Sequence, residues 1–229
     1  MSKSNIELYF KIKKQRENII APVDTMGCHA VPENLDEDTR RWQLLVKLLL
    51  SAQTKDEITH ATLEKLNKEL IVGNKDNTKD INQLTIKNIR ECKIEHLNDL
   101  IKKVGFHNRK AKYIKAIADI GRLPSDYDGI MKLPGVGPKM TLLYFQFAYN
   151  KVLGISVDLH VHRISNRLKI INTKSELQSR KELEKVIPKE EWGFYNKVMV
   201  GFGQVICKSN PECSKCIIKD ECPSSKYKF

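Results

Sequence analysis

The residues with the clearest chemical potential lie at 133–141, which read LPGVGPKMT. Pro138 suits the first position of a helix, because its missing N–H has no partner there. Gly135 and Gly137 permit positive φ and let backbone N–H groups approach a ligand closely. A glycine-rich turn that leads into a helix is an anion-binding arrangement, and nucleic-acid phosphate is such an anion. A surface hairpin with a solvated lysine is the alternative, and the glycines alone leave both open.

Lys139 stands in the first turn of that predicted helix. A primary amine forms a Schiff base with a carbonyl-like carbon only when it is unprotonated. The helix dipole disfavours the charged ammonium at this end, and we expect partial burial of Lys139 to disfavour it further. Asp158 opens another predicted helix and could stabilise positive charge that develops on a sugar, or move protons. Its alternative role as a plain N-cap is compatible with that chemistry.

Four of the six cysteines fall close together, in the pattern Cys207-x5-Cys213-x2-Cys216-x5-Cys222. No secretory signal is visible, so we expect a reducing compartment, where clustered cysteines are metal ligands more often than disulfides. Zinc and iron–sulfur clusters both accept four thiolates. One compact loop with a single inner pair favours a [4Fe–4S] cluster, with zinc as the alternative.

The composition indicates a polyanion as partner. The chain has 229 residues, with 40 Lys and Arg against 28 acidic residues and a net charge of +12. An excess of this size is typical of nucleic-acid binding, although a merely basic surface is the alternative. No apolar run approaches the roughly 20 residues that a membrane span needs, and no clear mitochondrial presequence is present.

Helical periodicity without strand-like alternation predicts an all-α fold. The helix that begins near residue 38 is apolar almost all round, which predicts burial. We expect a loop at 21–38, a polar connection at 73–80, and helices at 1–20, 38–50, 58–66, 81–92, 97–104, 111–120, 127–132, 140–149, 159–169, 176–186 and 192–202. Thr54 or Asp56 is expected to cap the third of these helices.

Two further residues have two readings each. Gln53 ends the buried helix, where an amide either satisfies local backbone groups or faces a ligand. Phe106 lies beside three basic residues, either at an exposed loop tip or as a core residue under a basic turn.

Taken together, these motifs resemble the endonuclease III family of helix-hairpin-helix DNA glycosylases, and its eukaryotic branch in particular. The resemblance covers about residues 17–223 and rests on LPGVGPKM, VDLHVHRISNRL, the four-cysteine loop, LLSAQTKDE at 49–57, APVD at 21–24 and VGFGQ at 200–204. It implies a two-lobed fold: a six-helix barrel at 38–151 that contains the helix-hairpin-helix at 127–148, and a second domain from 1–37 and 152–229 that carries the [4Fe–4S] loop.

The resemblance also implies the activity and the site residues. The enzyme would be a bifunctional DNA glycosylase and AP lyase of base excision repair, acting on oxidised pyrimidines or abasic sites in double-stranded DNA. It would be a monomer in the nucleus. Lys139 would be the nucleophile and Asp158 would assist it. The remaining implied roles are DNA contacts by Gly135, Gly137 and His160, duplex wedges by Gln53 and Phe106, and cluster ligation by Cys207, Cys213, Cys216 and Cys222.

The chain departs from the family pattern at two points. The first cysteine gap is five residues where the family usually has six, and Phe106 occupies a position that is often leucine. Two alternatives remain at this point: a monofunctional adenine-type glycosylase, whose family lacks a lysine at the position of Lys139, and a non-catalytic helix-hairpin-helix module that only binds DNA phosphates.

Overall fold

The structure, a computed structural model, describes residues 4–70 and 84–226. Within these ranges the chain forms helices and no strands, which confirms the all-α prediction. The helices are α1 Ser4–Arg16, α2 Pro22–Met26, α3 Glu37–Ser51, α4 Asp56–Glu69, α5 Ile86–Glu91, α6 Ile94–Leu100, α7 His107–Asp119, α8 Tyr127–Met131, α9 Pro138–Tyr149, α10 Leu159–Arg167, α11 Glu176–Val186 and α12 Trp192–Val205. The predicted connection at 73–80 and the start of the predicted helix at 81–92 lie outside the described residues.

The chain divides into two compact units, each with its own core. The central unit is Met26–Lys151, and the terminal unit combines Met1–Thr25 with Val152–Phe229. Residues 26–37 therefore group with the central unit, whereas the sequence-based division assigned them to the terminal one. None of the helices in the described part of the chain has the length and apolar character of a membrane span.

The core of the central unit is built around α3. Asp36 caps this helix by accepting a hydrogen bond from the Thr39 N–H at 2.9 Å, which satisfies one of the N–H groups that a helix start leaves unpaired. Every residue from Trp42 to Leu50 is buried. Helices α4, α7 and α9 pack against α3, which explains why the helix is apolar almost all round.

The core of the terminal unit brings the two ends of the chain together, with α1 and α10 both packed on α12. Arg16 of α1 lies against Gly201, where an added Cβ would be 2.2 Å from the Arg16 Nη2 atom. The same nitrogen donates to the Asp24 carboxylate at 2.8 and 2.9 Å. The APVD and VGFGQ motifs therefore meet around one buried arginine, and Gly201 leaves it room.

Several predicted boundaries are wrong. The predicted loop at 21–38 contains α2. Helix α4 begins at Asp56 after Lys55, which makes no side-chain cap, so neither Thr54 nor Asp56 caps it. Helix α6 covers 94–100 rather than 97–104, α7 begins four residues before the predicted 111, and α12 continues to Val205. These ends are set by contacts between segments, which local periodicity does not record.

Candidate functional site

Helices α8 and α9 form the hairpin that presents Lys139. Asp126 caps α8 by accepting from the Gly129 N–H at 2.8 Å, and the Val136 N–H closes the turn on the Leu133 carbonyl at 3.1 Å. Gly137 is the N-cap residue of α9, with Pro138 at the first helical position as predicted. The turn thus delivers the chain into the N-terminus of a twelve-residue helix.

The two hairpin glycines are used differently. Gly135 has φ of +77°, and a Cβ there would lie 2.3 Å from Cδ2 of Tyr113. Gly137 is extended, with φ of −126°, and a Cβ there would meet nothing within 4 Å. Gly135 thus uses the positive φ that glycine permits, whereas Gly137 does not use it and leaves an open surface beside the helix start.

Lys139 lies in the first turn of α9 and is exposed, so its expected burial is wrong. The charge of Lys139 also acts on a buried thiol of the central unit, Cys28. Burial raises the pKa of the Cys28 thiol to about 11, and the positive charges of Lys139 and Lys47 act against that rise. An exposed amine in the first turn of a helix is accessible to a large substrate.

Asp158 is the N-cap of α10, where its carboxylate accepts from the Val161 N–H at 2.9 Å. Its side chain is half-buried, and the cap fixes its direction. The predicted N-cap is thus present. Asp158 belongs to the terminal unit, whereas Lys139 belongs to the central unit.

His160 lies one residue into α10 and packs on α12. A Cβ at Gly203 would lie 2.4 Å from its Nδ1 atom, so the glycine makes room for the ring. Arg163 places Nη2 3.2 Å from the same nitrogen and donates to the Cys207 carbonyl at 2.9 Å. Helix α10 therefore connects the residues that follow Asp158 with the start of the cysteine loop.

The four clustered cysteines line one small, mostly apolar cavity of the terminal unit. Burial, with a smaller contribution from the other three thiols, raises the pKa of Cys216 to about 11. As they stand, no three His, Cys, Asp or Glu side chains in the described residues are grouped to hold a metal ion. Four thiols around one cavity are nevertheless the donor set that iron–sulfur and structural zinc sites require.

The first gap of the cysteine loop, between Cys207 and Cys213, is held by hydrogen bonds from Arg167 of α10. Arg167 donates to the Lys208 and Ser209 carbonyls at 2.6 and 2.8 Å. Its Nη1 atom also lies 3.5 Å from the Cys207 sulfur. A five-residue gap is thus compatible with an ordered loop.

The structure brings the segments around Gln53 and Phe106 together in the central unit. Gln53 is exposed with φ of +51°, and Phe106 is 59 % exposed with φ of +56°. The Gly105 N–H donates to Thr54 Oγ1 at 3.2 Å, and a Cβ at Gly105 would lie 2.7 Å from the Gln53 carbonyl oxygen. Phe106 is thus an exposed loop residue, and its alternative reading as a core residue is wrong.

The burial of two lysines was not predicted from the sequence. Lys110 is 5 % exposed and Lys47 is fully buried, and burial lowers the pKa of each to about 8. Lys110 shares the buried face of α7 with Ile114 and Ile117, which follow it at helical spacing. That spacing is a signal in the sequence that could have indicated an inward-facing lysine, but it was not used in the prediction.

Comparison with known proteins gives a consistent result. The profile described as HhH-GPD superfamily base excision DNA repair protein matches residues 46–189. An endonuclease III homolog of Encephalitozoon cuniculi is 47 % identical over 96 % of this chain and 94 % of its own length. The endonuclease III homolog of Schizosaccharomyces pombe is 42 % identical, over 96 % of this chain and 61 % of its own.

A solved structure of a trapped endonuclease III–DNA covalent intermediate has the same fold. It superimposes with a TM-score of 0.76 at 28 % identity, covering 98 % of this chain and 97 % of the other.

Proposed function

The chain belongs to the endonuclease III family of base excision repair DNA glycosylases, and from that premise we propose that Lys139 excises oxidised pyrimidines and cleaves the strand. DNA N-glycosylase and AP lyase activity is typical of this family. The observation that carries the residue assignment is the exposed amine of Lys139 in the first turn of α9, directly after a glycine turn.

Lys139 acts as the nucleophile in this proposal. The lone pair of its unprotonated Nζ attacks C1′ of the damaged nucleotide, and the base leaves with the electrons of the glycosidic bond. Opening of the sugar ring gives an iminium between C1′ and Nζ. Loss of a C2′ proton then expels the 3′ phosphate by β-elimination, and hydrolysis of the iminium returns the free lysine.

Asp158 assists the first step. Its carboxylate stabilises the positive charge that builds on the sugar as the base leaves, and it can accept a proton from the attacking amine. The bond from the Val161 N–H supports this role, because it orients the carboxylate before DNA arrives. The carboxylate can therefore keep its capping hydrogen bond and its rotamer while it acts on the sugar and the amine.

The DNA contacts follow from the same surface features. We assign the open backbone at Gly137, the turn at Gly135 and the imidazole of His160 to the DNA strand that carries the lesion. Gln53 and Phe106 enter the duplex and fill the space that a flipped nucleotide leaves, which lowers the cost of unstacking. The exposure of both residues supports this use.

The four-cysteine loop is proposed to hold a [4Fe–4S] cluster, with zinc as the alternative. Cys207, Cys213, Cys216 and Cys222 would be its ligands, since all four line the same cavity. The cluster would link the loop to the core of the terminal unit and take no part in the chemistry at C1′. We further propose a monomer that works in the nucleus on double-stranded DNA, with the central unit as the six-helix barrel and the terminal unit as the cluster domain.

Borohydride trapping on a duplex with thymine glycol tests the nucleophile. Borohydride reduces the iminium to a stable amine, so the wild-type protein should become covalently attached to DNA. Lys139→Ala should give no adduct and should lose strand cleavage by at least about a thousandfold, as expected for removal of a nucleophile.

Lys132→Ala is the matched control, because Lys132 is another exposed lysine of the same hairpin. Its adduct should form at the wild-type rate. An adduct that survives Lys139→Ala would contradict the assignment. A wild-type protein that binds DNA without forming an adduct would favour the non-catalytic alternative, and base release without an adduct would favour a monofunctional glycosylase.

A further inference from the structure

Gln53 and Phe106 share an unusual backbone conformation. In the described part of the chain, four non-glycine residues have positive φ, and two of them are these exposed residues. The left-handed region costs a residue with a Cβ about 1–2 kcal/mol. Such a conformation persists only where the surrounding structure holds it. Contacts of each loop with the rest of the central unit must therefore hold Gln53 and Phe106 in this conformation.

One side chain, Lys110, reaches the Gln53 loop from inside the central unit. Its Nζ donates to the Leu50 carbonyl at 2.8 Å, to the Ala52 carbonyl at 2.5 Å and to Thr54 Oγ1 at 3.3 Å. All three donors of the ammonium are thus used on the segment that ends α3 and surrounds Gln53. The carbonyls at a helix C-terminus carry partial negative charge, which suits a cation.

The same contacts extend to the Phe106 loop through Thr54. Its hydroxyl accepts from Lys110 and also from the Gly105 N–H at 3.2 Å. Phe106 in turn is the N-cap residue of α7, and its carbonyl accepts from the Lys110 N–H at 3.1 Å. Lys110 therefore contacts one loop through its side chain and the other through its backbone.

Stability alone gives a poor reason for a lysine here. Burial lowers its pKa to about 8, and no ion pair of the described residues includes it. Burying a charge without a counter-charge carries a desolvation cost, which hydrogen bonds to the ammonium only offset. The ammonium instead donates to two loop carbonyls and one hydroxyl. These hydrogen bonds fix the conformation of the loop.

We propose that Lys110 is a positioning residue that joins the Gln53 and Phe106 loops into one pre-ordered wedge. The proposal rests on the function proposed above, since it concerns how these two residues enter DNA. A wedge that is ordered before binding does not lose backbone freedom when it enters the duplex, so its affinity is higher. Lys110 itself touches no DNA in this scheme.

Amide hydrogen exchange tests the positioning without DNA. In Lys110→Met, the Thr54 and Gly105 amides should exchange at least about tenfold faster than in the wild-type protein. The reason is that the loops can then open locally without breaking the hydrogen bonds of Lys110. Lys115→Met is the matched control. Lys115 lies on the same helix and donates to the Ile89 and Cys92 carbonyls at 2.9 Å, away from the wedge. It should speed exchange at the Cys92 amide and leave Thr54 and Gly105 unchanged.

The consequence for DNA is read from 2-aminopurine placed opposite an abasic-site analogue. Insertion of the wedge unstacks this base and raises its fluorescence. Lys110→Met should weaken the fluorescent complex about tenfold, which corresponds to about 1.4 kcal/mol. Thr54→Val removes only the shared hydroxyl and should weaken it in the same direction by a smaller factor, which also decides the matter if Lys110→Met does not fold.

The outcomes separate the two proposals. Wild-type exchange at Thr54 and Gly105 in Lys110→Met, or wild-type fluorescence and affinity in both variants, would overturn the positioning role. An equal loss in Lys115→Met would also overturn it, because a general loss of stability would then explain the effect. A wild-type protein that raises no 2-aminopurine fluorescence would contradict the wedge roles of Gln53 and Phe106. The exchange data would still show whether Lys110 orders the two loops.

Discussion

At the scale of single residues, the central unit contains two lysines that are buried for different reasons. Lys110 uses its three donors on loop carbonyls and a hydroxyl. Lys47 lies inside α3, donates to the Ala30 carbonyl and has His60 Nδ1 at 3.1 Å. Because that imidazole nitrogen accepts from an ammonium, the ring is held neutral, and burial together with the charge of Lys47 lowers the pKa of His60.

Lys47 gives a prediction about pH and stability. Its pKa falls to about 8 in the folded protein, whereas the unfolded chain keeps a value of about 10.4. Between these values the unfolded state binds more protons, so the free energy of unfolding rises with pH over this window. Lys47→Met should therefore raise the thermal midpoint at pH 7 and give a flatter profile between pH 8 and 10.

Thermal unfolding followed by circular dichroism at pH 7 and pH 9.5 measures this effect. Lys65→Met is the control: Lys65 is half-exposed on α4 and its Nζ lies 3.7 Å from the Glu69 carboxylate, so the change should leave the pH profile as in the wild-type protein. A Lys47→Met protein that is less stable at pH 7 by more than about 1 kcal/mol would show that the contacts to Ala30 and His60 outweigh desolvation.

At the scale of elements, the hairpin separates structural from ligand-binding glycines. Gly135 has positive φ and lies against the Tyr113 ring, so a side chain there meets both backbone strain and a steric clash. Gly137 has an extended backbone and open space. Their shared motif is thus built for two purposes: one glycine shapes the turn, and the other keeps the helix start uncovered.

This difference is testable with two single-methyl variants. Gly135→Ala should lower the free energy of unfolding by about 2–3 kcal/mol, the sum of left-handed strain and displacement of the tyrosine ring. Gly137→Ala should cost at most about 1 kcal/mol, the loss expected when alanine replaces a favoured N-cap residue. It should nevertheless weaken binding to DNA with an abasic-site analogue at least about tenfold, because a methyl group would stand between the backbone and phosphate.

Chemical denaturation and a DNA titration on the same preparations give both quantities. Stability loss of equal size in the two variants would contradict the structural distinction. Unchanged DNA affinity in a folded Gly137→Ala protein would contradict its proposed contact with the phosphate backbone.

At the scale of the whole molecule, the described residues form one hydrophobic core in each unit, and a tryptophan lies within one core and against the other. Trp42 is buried in α3 of the central unit, and Trp192 starts α12 and packs on the core of the terminal unit. The cysteine loop belongs to the terminal unit, and Cys207, Cys216 and Cys222 pack against that core. Binding of a metal group by the loop should therefore stabilise the terminal unit.

Loss of one ligand tests this prediction. If the loop holds the proposed [4Fe–4S] cluster, Cys213→Ser should lose the iron and the brown colour of the purified protein, since a cluster needs its four thiolates. The unfolding midpoint reported by Trp192 should fall, whereas the midpoint reported by Trp42 should stay unchanged. Trp42→Phe and Trp192→Phe variants separate the two signals, and Cys28→Ser is the control that should keep its iron.

Elemental analysis of the wild-type protein decides the identity of the metal. Stoichiometric zinc without iron would support the zinc alternative, and a protein with neither metal would contradict a metal-binding loop. A parallel fall of both midpoints in Cys213→Ser would show that the two cores unfold together.

The sequence by itself determined the features that depend on local patterns. Periodicity identified an all-α chain and the burial of α3, while residue type and position identified the Asp158 cap and the proline that begins α9. The four cysteines also share one cavity, as their spacing indicated. Each of these follows from neighbours within a few turns of chain, where helical geometry fixes which side chains share a face.

Only the tertiary structure decided which side chains meet across distant segments. It showed that Gly201 and Gly203 make room for Arg16 and His160, although the motif itself gave no reason for two glycines. It exposed Lys139 and selected Lys110, among several basic neighbours, as the one that turns inward. The physical reason is that close approach and burial depend on packing between elements, which no local pattern along the chain encodes.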